Sequence, residues 1–168
     1  RRHEGVSLFF VPRESTGVTI TALPKLGMRA LCSCSVVFQQ TFVPDDLLLG
    51  EPGNVWTQTT KTLNNERIMN ASLSLGVLDG VLEDAVEYMK QRQAFGGPIG
   101  RFQALQHKVA DIAMWRKQAE LMLWNAAWLQ ANDRPCAVEA AMVKTLASEY
   151  ACHAADIGIS ILGGMGYS

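Results

Sequence analysis

After residue 55 the apolar residues return at steps of three and four, and no other property of the chain constrains its fold so tightly. Ala71, Leu75, Leu78, Leu82, Ala85 and Met89 fall on one face of a long helix, predicted from about Val55 to Gln93, with Glu83, Glu87 and Lys90 off the stripe. A second stripe, Leu105, Val109, Ile112, Trp115, Ala119, Met122, Ala126 and Leu129, predicts another long helix ending near "ANDRPC". A third is expected to start with Asp133 as its N-cap just ahead of Pro135, and to run to Gly163 and Gly164 through a stretch dense in Ala and Ser. Small residues let helices approach closely, and short turns between long helices make them antiparallel bundle neighbours. Three such helices invite a fourth, so the stripes of the first two are expected to be partly uncovered and the chain to associate.

The first fifty residues have a different period. "GVSLFFVP", "GVTITAL" and "CSVVFQQTFVP" are β-branched and aromatic runs punctuated by glycine and proline, and they predict three strands. Three strands form a small sheet that calls for partners outside the chain. The change of period at Leu49 to Asn54 marks the one boundary, and the fold class is α+β. Fifteen basic against sixteen acidic residues give a net charge of −1 and no basic stripe, so a nucleic-acid partner is not expected. No run reaches the length of a membrane span, and the N-terminus has no cleavage site of a secretory leader. Cys32, Cys34, Cys136 and Cys152 show no C-x-x-C spacing, which fits a reducing compartment and buried or idle thiols. Trp115, Trp124 and Trp128 read as core or interface packing.

The glycine cluster "FGGPIGRFQ" follows a helix rather than a strand, which disfavours a Rossmann phosphate loop; no Lys-Ser or Lys-Thr follows it, which disfavours a P-loop. A helix–helix turn with Gly96 as a left-handed stop accounts for it, and the same corner can bring bare backbone close to a ligand. His3, His107 and His153 lack metal-ligand spacing, and no G-x-S-x-G elbow supports a hydrolase triad.

"GVSLFFVPRESTGVTITALPKLGMRA", "VPDDLLLGEPGNVW", "LNNERIMNASLSLGVLDGVLEDAVEYMKQRQAFGGPIGRFQALQHKVADIA", "EAAMVKTLASEYA" and "ILGGMGY" resemble, in order and spacing, the acyl-CoA dehydrogenase family. The resemblance implies a flavoprotein built from a helical N-terminal domain, a middle β-domain and a C-terminal four-helix bundle. Residues 1–50 then correspond to the rear of the middle β-domain, and residues 51–168 to three of the four bundle helices, less than half of a typical member.

The resemblance also implies roles. The arginine of R-x-x-FG, here Arg92, would contact the FAD diphosphate, and the glutamine of the following FQ, here Gln103, its adenosine half. Both would reach toward FAD held mainly by a neighbouring subunit, with Phe95 beside it. Ser160, Ile161, Leu162, Gly163 and Gly164 align with the family's Q-I-x-GG, where FAD approaches backbone, although Ser160 replaces the usual glutamine. Asn64, Asn65, Glu66 and Arg67 occupy the segment beside the pantetheine and acyl chain, and Tyr88 matches a frequent substrate contact. The implied reaction is α,β-dehydrogenation of an acyl-CoA thioester. Most members place the catalytic Glu after the GG-x-GY block; a minority use a Glu at the position of Glu66. The resemblance further implies a homo-oligomer sharing FAD across subunits, an electron acceptor, and a bacterial cytosolic or mitochondrial matrix setting. Two alternatives stand beside it: a related oxidase returning electrons to oxygen, and a helical oligomerisation or interaction module without turnover.

Overall fold

The computed structural model describes residues 5–168, so His3 lies outside the described residues. The chain divides into two compact units, Arg1–Thr60 and Lys61–Ser168, and the division falls inside the first long helix.

In the first unit, strand β1 (Leu8–Phe9) pairs antiparallel with β4 (Leu48–Leu49), in the register Leu8 to Leu49 and Phe9 to Leu48. Strands β2 (Val18–Ala22) and β3 (Cys34–Phe38) form a second antiparallel ribbon whose ladder runs from Val18 opposite Phe38 to Ala22 opposite Cys34. The β4 pairing has no counterpart among the three expected strands, because a two-residue strand carries no periodic signal. A two-stranded ribbon cannot cover both of its faces. Val36, Val37 and Phe38 accordingly remain exposed.

Helix α1 (Trp56–Gln91) is followed by a two-rung hairpin, β5 (Gln93–Ala94) with β6 (Gly97–Pro98), and a 3-10 turn at Ile99–Arg101. Helices α2 (Gln103–Ala131) and α3 (Ala137–Leu162) complete the bundle, and a single turn, α4 (Gly164–Tyr167), follows. Ala71, Leu78 and Ala85 on α1 and Ile112, Ala119 and Ala126 on α2 are each seven residues apart and almost wholly buried. Seven-residue spacing keeps one seam of a helix facing its neighbours, as in a bundle packed near-antiparallel. On α3 the buried positions are Ala140, Val143, Ala147, Ala151, Ala154, Gly158 and Ile161, nearly all small. Small side chains allow α2 and α3 to come within 8 Å, Cα to Cα. At Gly158 an added Cβ would stand 2.8 Å from Val81 Cγ1 of α1, so the absent side chain is what lets that helix in.

One expectation is corrected here. Asp133 does not cap α3, whose N-cap is Cys136 without a side-chain cap bond. Instead Asp133 adopts φ +51° just after α2. The Asp133 N–H reaches the Gln130 carbonyl at 3.1 Å and the Arg134 N–H the Leu129 carbonyl at 2.9 Å, which is a Schellman stop with Asp in the left-handed position. Asp tolerates that conformation as well as it caps a helix start, so its identity alone does not separate the two roles. The stripes of α1 and α2 are covered in part: Ala71, Leu78, Ile112, Ala119 and Ala126 are buried in a cluster shared with α3, while Leu75, Leu82, Trp115 and Met122 stay half-buried. Exposed apolar side chains lie off the stripes, including Leu73, Leu121, Trp124 and Trp128. Trp115 alone of these tryptophans packs inward, stacked on Tyr150 at 5.4 Å. No helix among the described residues is long and apolar enough to cross a membrane.

Arg116 of α2 bridges α1 and its own helix: its Nε donates to Asp79 and its Nη1 to Glu120 at 3.1 Å. The hydrogen bond from Lys117 holds the Glu120 carboxyl below the usual carboxylate range, helped by the charges of Arg116 and Lys117 and opposed by partial desolvation. An acid with a depressed folded-state value adds stability above its ordinary range and loses it as pH falls through the lower value. Glu120→Gln should therefore flatten the loss of stability at acid pH, with the difference shrinking in high salt, as read by denaturant midpoints from pH 7 down to pH 3. Leu78, wholly buried, should cost about 2–5 kcal/mol when cut to Ala. Leu73→Ala, at a 57% exposed position on the same helix, should stay within about 0.5 kcal/mol in the same circular-dichroism titration.

Candidate functional site

The corner between α1 and α2 is a hairpin and not the simple helix–helix turn expected from its glycines. Gln93 pairs with Pro98 and Ala94 with Gly97, leaving Phe95 and Gly96 as the two turn residues at φ +53° and +83°. A two-residue hairpin with positive φ at both positions is the type I′ arrangement, and glycine fits the second position at no steric cost. Phe95 does not; a bulky residue held left-handed stores strain, and such strain collects at functional sites. The ring is 88% exposed and meets Phe102 edge-on at 6.0 Å, so it gains little burial in return. Arg101 holds the turn from below: its Nη2 donates to the Phe95 carbonyl and its Nη1 to that of Gly96 at 3.4 Å.

The hairpin fixes Arg92 and Gln103 at one end of the bundle. The Ile99 N–H donates to the Arg92 carbonyl at 2.9 Å, and the Phe102 N–H to that of Ile99 at 3.0 Å, immediately before Gln103 opens α2. Both side chains are exposed. Below them Met89, Leu105, Ile99 and Ile161 pack in one small apolar cluster, which places the end of α3 at the same corner. There the chain leaves α3 through Gly163 at φ +58°, and Gly166 folds so close to α3 that a Cβ would stand 2.4 Å from the Ile159 carbonyl oxygen. Ile161 is buried and points into the cluster, so of the 160–164 segment it is Ser160, Leu162 and the two glycines that face outward or lie half-covered. Lys108, a residue not singled out by motif, reaches across from α2 and donates to Ser160 Oγ at 2.8 Å. Arg92, Phe95, Gln103 and residues 160–164 are therefore gathered at one end, rimmed by the cations Arg92, Arg101 and Lys108.

Asn64, Asn65, Glu66 and Arg67 lie near the opposite end. Arg67 Nη1 donates to Asn64 Oδ1 at 2.7 Å, not to its neighbour Glu66, and Gln130 Nε2 of α2 donates to Asn65 Oδ1 at 3.1 Å. Glu66 is exposed. A cavity of about 550 Å³ opens beside Asn64, lined by Lys61, Gln130, Asp133, Arg134 and Cys136. At about 1.5 Å of rise per residue, Arg67 and Tyr88 are roughly 30 Å apart along α1, and Glu66 stands nearly 40 Å from the helix's last turn. The structure does not bring Tyr88 to the Asn64–Arg67 group; half-buried, it belongs to the Arg92 end, where its carbonyl accepts the Arg92 N–H at 2.9 Å. Among the described residues no group of three or more His, Cys, Asp and Glu is placed to hold a metal.

The fold is thus an antiparallel helical bundle whose interhelical corner presents exposed cations, an aromatic ring and an amide. The family described as "Acyl-CoA dehydrogenase, C-terminal domain" matches residues 54–168, and the chain belongs to the acyl-CoA dehydrogenase family. Mitochondrial short-chain specific acyl-CoA dehydrogenase of Bos taurus is 42% identical over 98% of this chain and 40% of its own length. Butyryl-CoA dehydrogenase from Megasphaera elsdenii superimposes with a TM-score of 0.93 at 34% identity, covering 99% of this chain and 44% of that one. PigA, solved with FAD and proline, gives a TM-score of 0.90 at 28% identity, again over 99% of this chain and 44% of that one. The chain thus spans about two fifths of the length of the curated relatives it matches.

Phe95→Gly removes both the left-handed strain and a ring that buries little. Its unfolding midpoint should hold or rise by up to about 1 kcal/mol, whereas Gly96→Val should lower it by about 1–2 kcal/mol, both read by denaturant titration of helical signal.

Proposed function

We propose that this chain is part of an FAD-dependent acyl-CoA dehydrogenase that removes the α and β hydrogens of an acyl-CoA thioester. One observation carries the reading: the strained Phe95–Gly96 turn keeps Arg92 and Gln103 at the same exposed, cation-rimmed end of the bundle in a member of this family. The donor chemistry fits the cofactor. Arg92 offers a planar guanidinium to diphosphate oxygens, Lys108 adds a second cation beside Ser160, Gln103 supplies an amide for the adenosine half, and the exposed Phe95 ring gives a surface to stack on. When bound, FAD supplies the hydride acceptor.

Asn64, Asn65, Glu66 and Arg67 are assigned to the acyl-CoA, with Asn64 orienting Arg67 through their 2.7 Å bond, whereas Tyr88, roughly 30 Å away along α1, is grouped with the Arg92 corner and so with a neighbour's centre. Glu66 is the candidate base for the α-proton. Its carboxylate is exposed in this chain, so proton abstraction requires that bound thioester and surrounding protein exclude water from it. The length of α1 keeps Glu66 and Arg92 of one chain too far apart to serve the same reaction centre. The assembly that follows is a homo-oligomer in which the Arg92 corner grips the nucleotide end of a neighbour's FAD. Reoxidation by an electron-transfer partner, and a bacterial cytosolic or mitochondrial matrix setting, complete the proposal. The exposed Trp124 and Trp128 on α2 favour a second reading, an association module without turnover.

The purified protein should be yellow and should bleach on anaerobic addition of acyl-CoA; colourless, self-associating protein would favour the second reading, and peroxide formed during turnover would mark an oxidase. Arg92→Ala should weaken FAD retention at least tenfold by equilibrium dialysis. Glu66→Gln should keep the yellow colour and lose bleaching by a hundredfold or more, while an unchanged rate would remove Glu66 as the base.

A further inference from the structure

Cys32 and Cys34 hold their sulfurs 3.3 Å apart at the end of the β2–β3 ribbon, and neither the fold nor the proposed function uses them. Free cysteines are among the most buried of residues when they merely fill space. These two are exposed, whereas Cys136 is buried. In a fully extended strand, side chains two residues apart share a face, but their sulfurs need not touch. Here they lie 3.3 Å apart, with Cys32 just outside β3. The strand end is held: the Leu23 N–H donates to the Ser33 carbonyl at 2.8 Å, extending the ladder one step past the Ala22–Cys34 rung. The Lys25 ammonium closes the connecting loop by donating to the carbonyls of Met28, at 2.8 Å, and Leu31. The residue between the two thiols is thus pinned by its own carbonyl, and the two sulfurs are held on the same side of it.

We propose that Cys32 and Cys34 form a thiol–disulfide exchange site that reacts with low-molecular-weight disulfides and closes into an intrachain disulfide. One protein thiolate attacks a sulfur of the small disulfide RSSR, forming a mixed disulfide and releasing RS⁻, which takes up a proton. The second cysteine loses its proton and attacks the protein-bound sulfur, forming the Cys32–Cys34 bond and releasing the second RSH. Two protein thiols are oxidised and one small disulfide is reduced to two thiols. Closure asks the sulfurs to move from 3.3 Å to about 2.0 Å, a shift that side-chain rotation and a small backbone adjustment at the strand end can supply. The hydrogen bond to Cys32 pushes the Cys34 thiol up, against the pull of Arg13 and Lys25. The same two cations favour approach of an anionic disulfide such as oxidised glutathione. In a reducing compartment the pair rests open, and it closes when the disulfide pool rises.

The test uses the purified protein in buffers of reduced and oxidised glutathione at graded ratios, quenched with an alkylating reagent and read by peptide mass spectrometry. Expected is a peptide carrying Cys32 and Cys34 that loses two hydrogens without a retained glutathione, its closed fraction rising with the ratio of oxidised glutathione to the square of reduced glutathione. Exposed Cys152, with no resolving neighbour, should take up glutathione and keep it. Cys34→Ser should trap the mixed disulfide on Cys32, and Cys32→Ser should trap it on Cys34, each raising the retained adduct at least tenfold over the unsubstituted protein. The proposal is overturned if both thiols stay alkylatable at ratios where Cys152 is modified, if the unsubstituted pair keeps a stable adduct, or if the bond formed joins two chains.

Discussion

The bundle depends on the close approach of α2 and α3. Ala119 and Ala126 on one helix and Ala140, Ala147 and Ala154 on the other leave no bulk between the backbones. Dispersion and exclusion of water then act over nearly the whole length of the pair. A larger side chain anywhere along that seam would push the helices apart and carry Ile161 away from Met89 and Leu105. The end of α3 would then leave the corner that holds Arg92 and Gln103. The geometry of the candidate cofactor site is thus set by alanines far from it, and by Gly158, which makes room for Val81 in the same way on the α1 side.

The two ends of the bundle are built by different means. At the Arg92 end the backbone does the positioning: a type I′ turn with a strained Phe95, an arginine clamped to the turn carbonyls, and a left-handed glycine leaving α3. At the Glu66 end side chains do it, through the Arg67–Asn64 and Gln130–Asn65 bonds, and the Schellman stop at Asp133 fixes where α2 lets go. Rigid backbone suits a contact to a cofactor that stays bound. Pairs of flexible amides suit a substrate that must enter and leave.

Much of this was legible in the sequence. The stripes of α1 and α2 located the helices within two residues of their ends, because burial repeats along a helix whatever the loops do. Arg92, Phe95 and Gln103 were singled out through the family resemblance, and their collection at one end followed from the shortness of the connection. What was hidden depended on contacts distant in sequence or on conformations a residue type does not dictate. The β1–β4 pairing joins Leu8 to Leu49 through two-residue strands. Asp133 could equally cap or stop a helix. Nothing in C-x-C spacing reveals that the sulfurs of Cys32 and Cys34 lie 3.3 Å apart. Tyr88 was grouped with Asn64 by role, and only the axial rise of α1 separates them.

That rise has a genetic corollary under the proposed function. An allele damaged at Arg92 and another damaged at Glu66 injure different flavin centres within a mixed assembly, so a cell carrying both can build some centres from two intact halves. Two alleles damaged at the same end of α1 leave no such combination. Partial recovery in compound heterozygotes would thus follow the axial position of the lesion, and severity in either homozygote would be a poor guide to it.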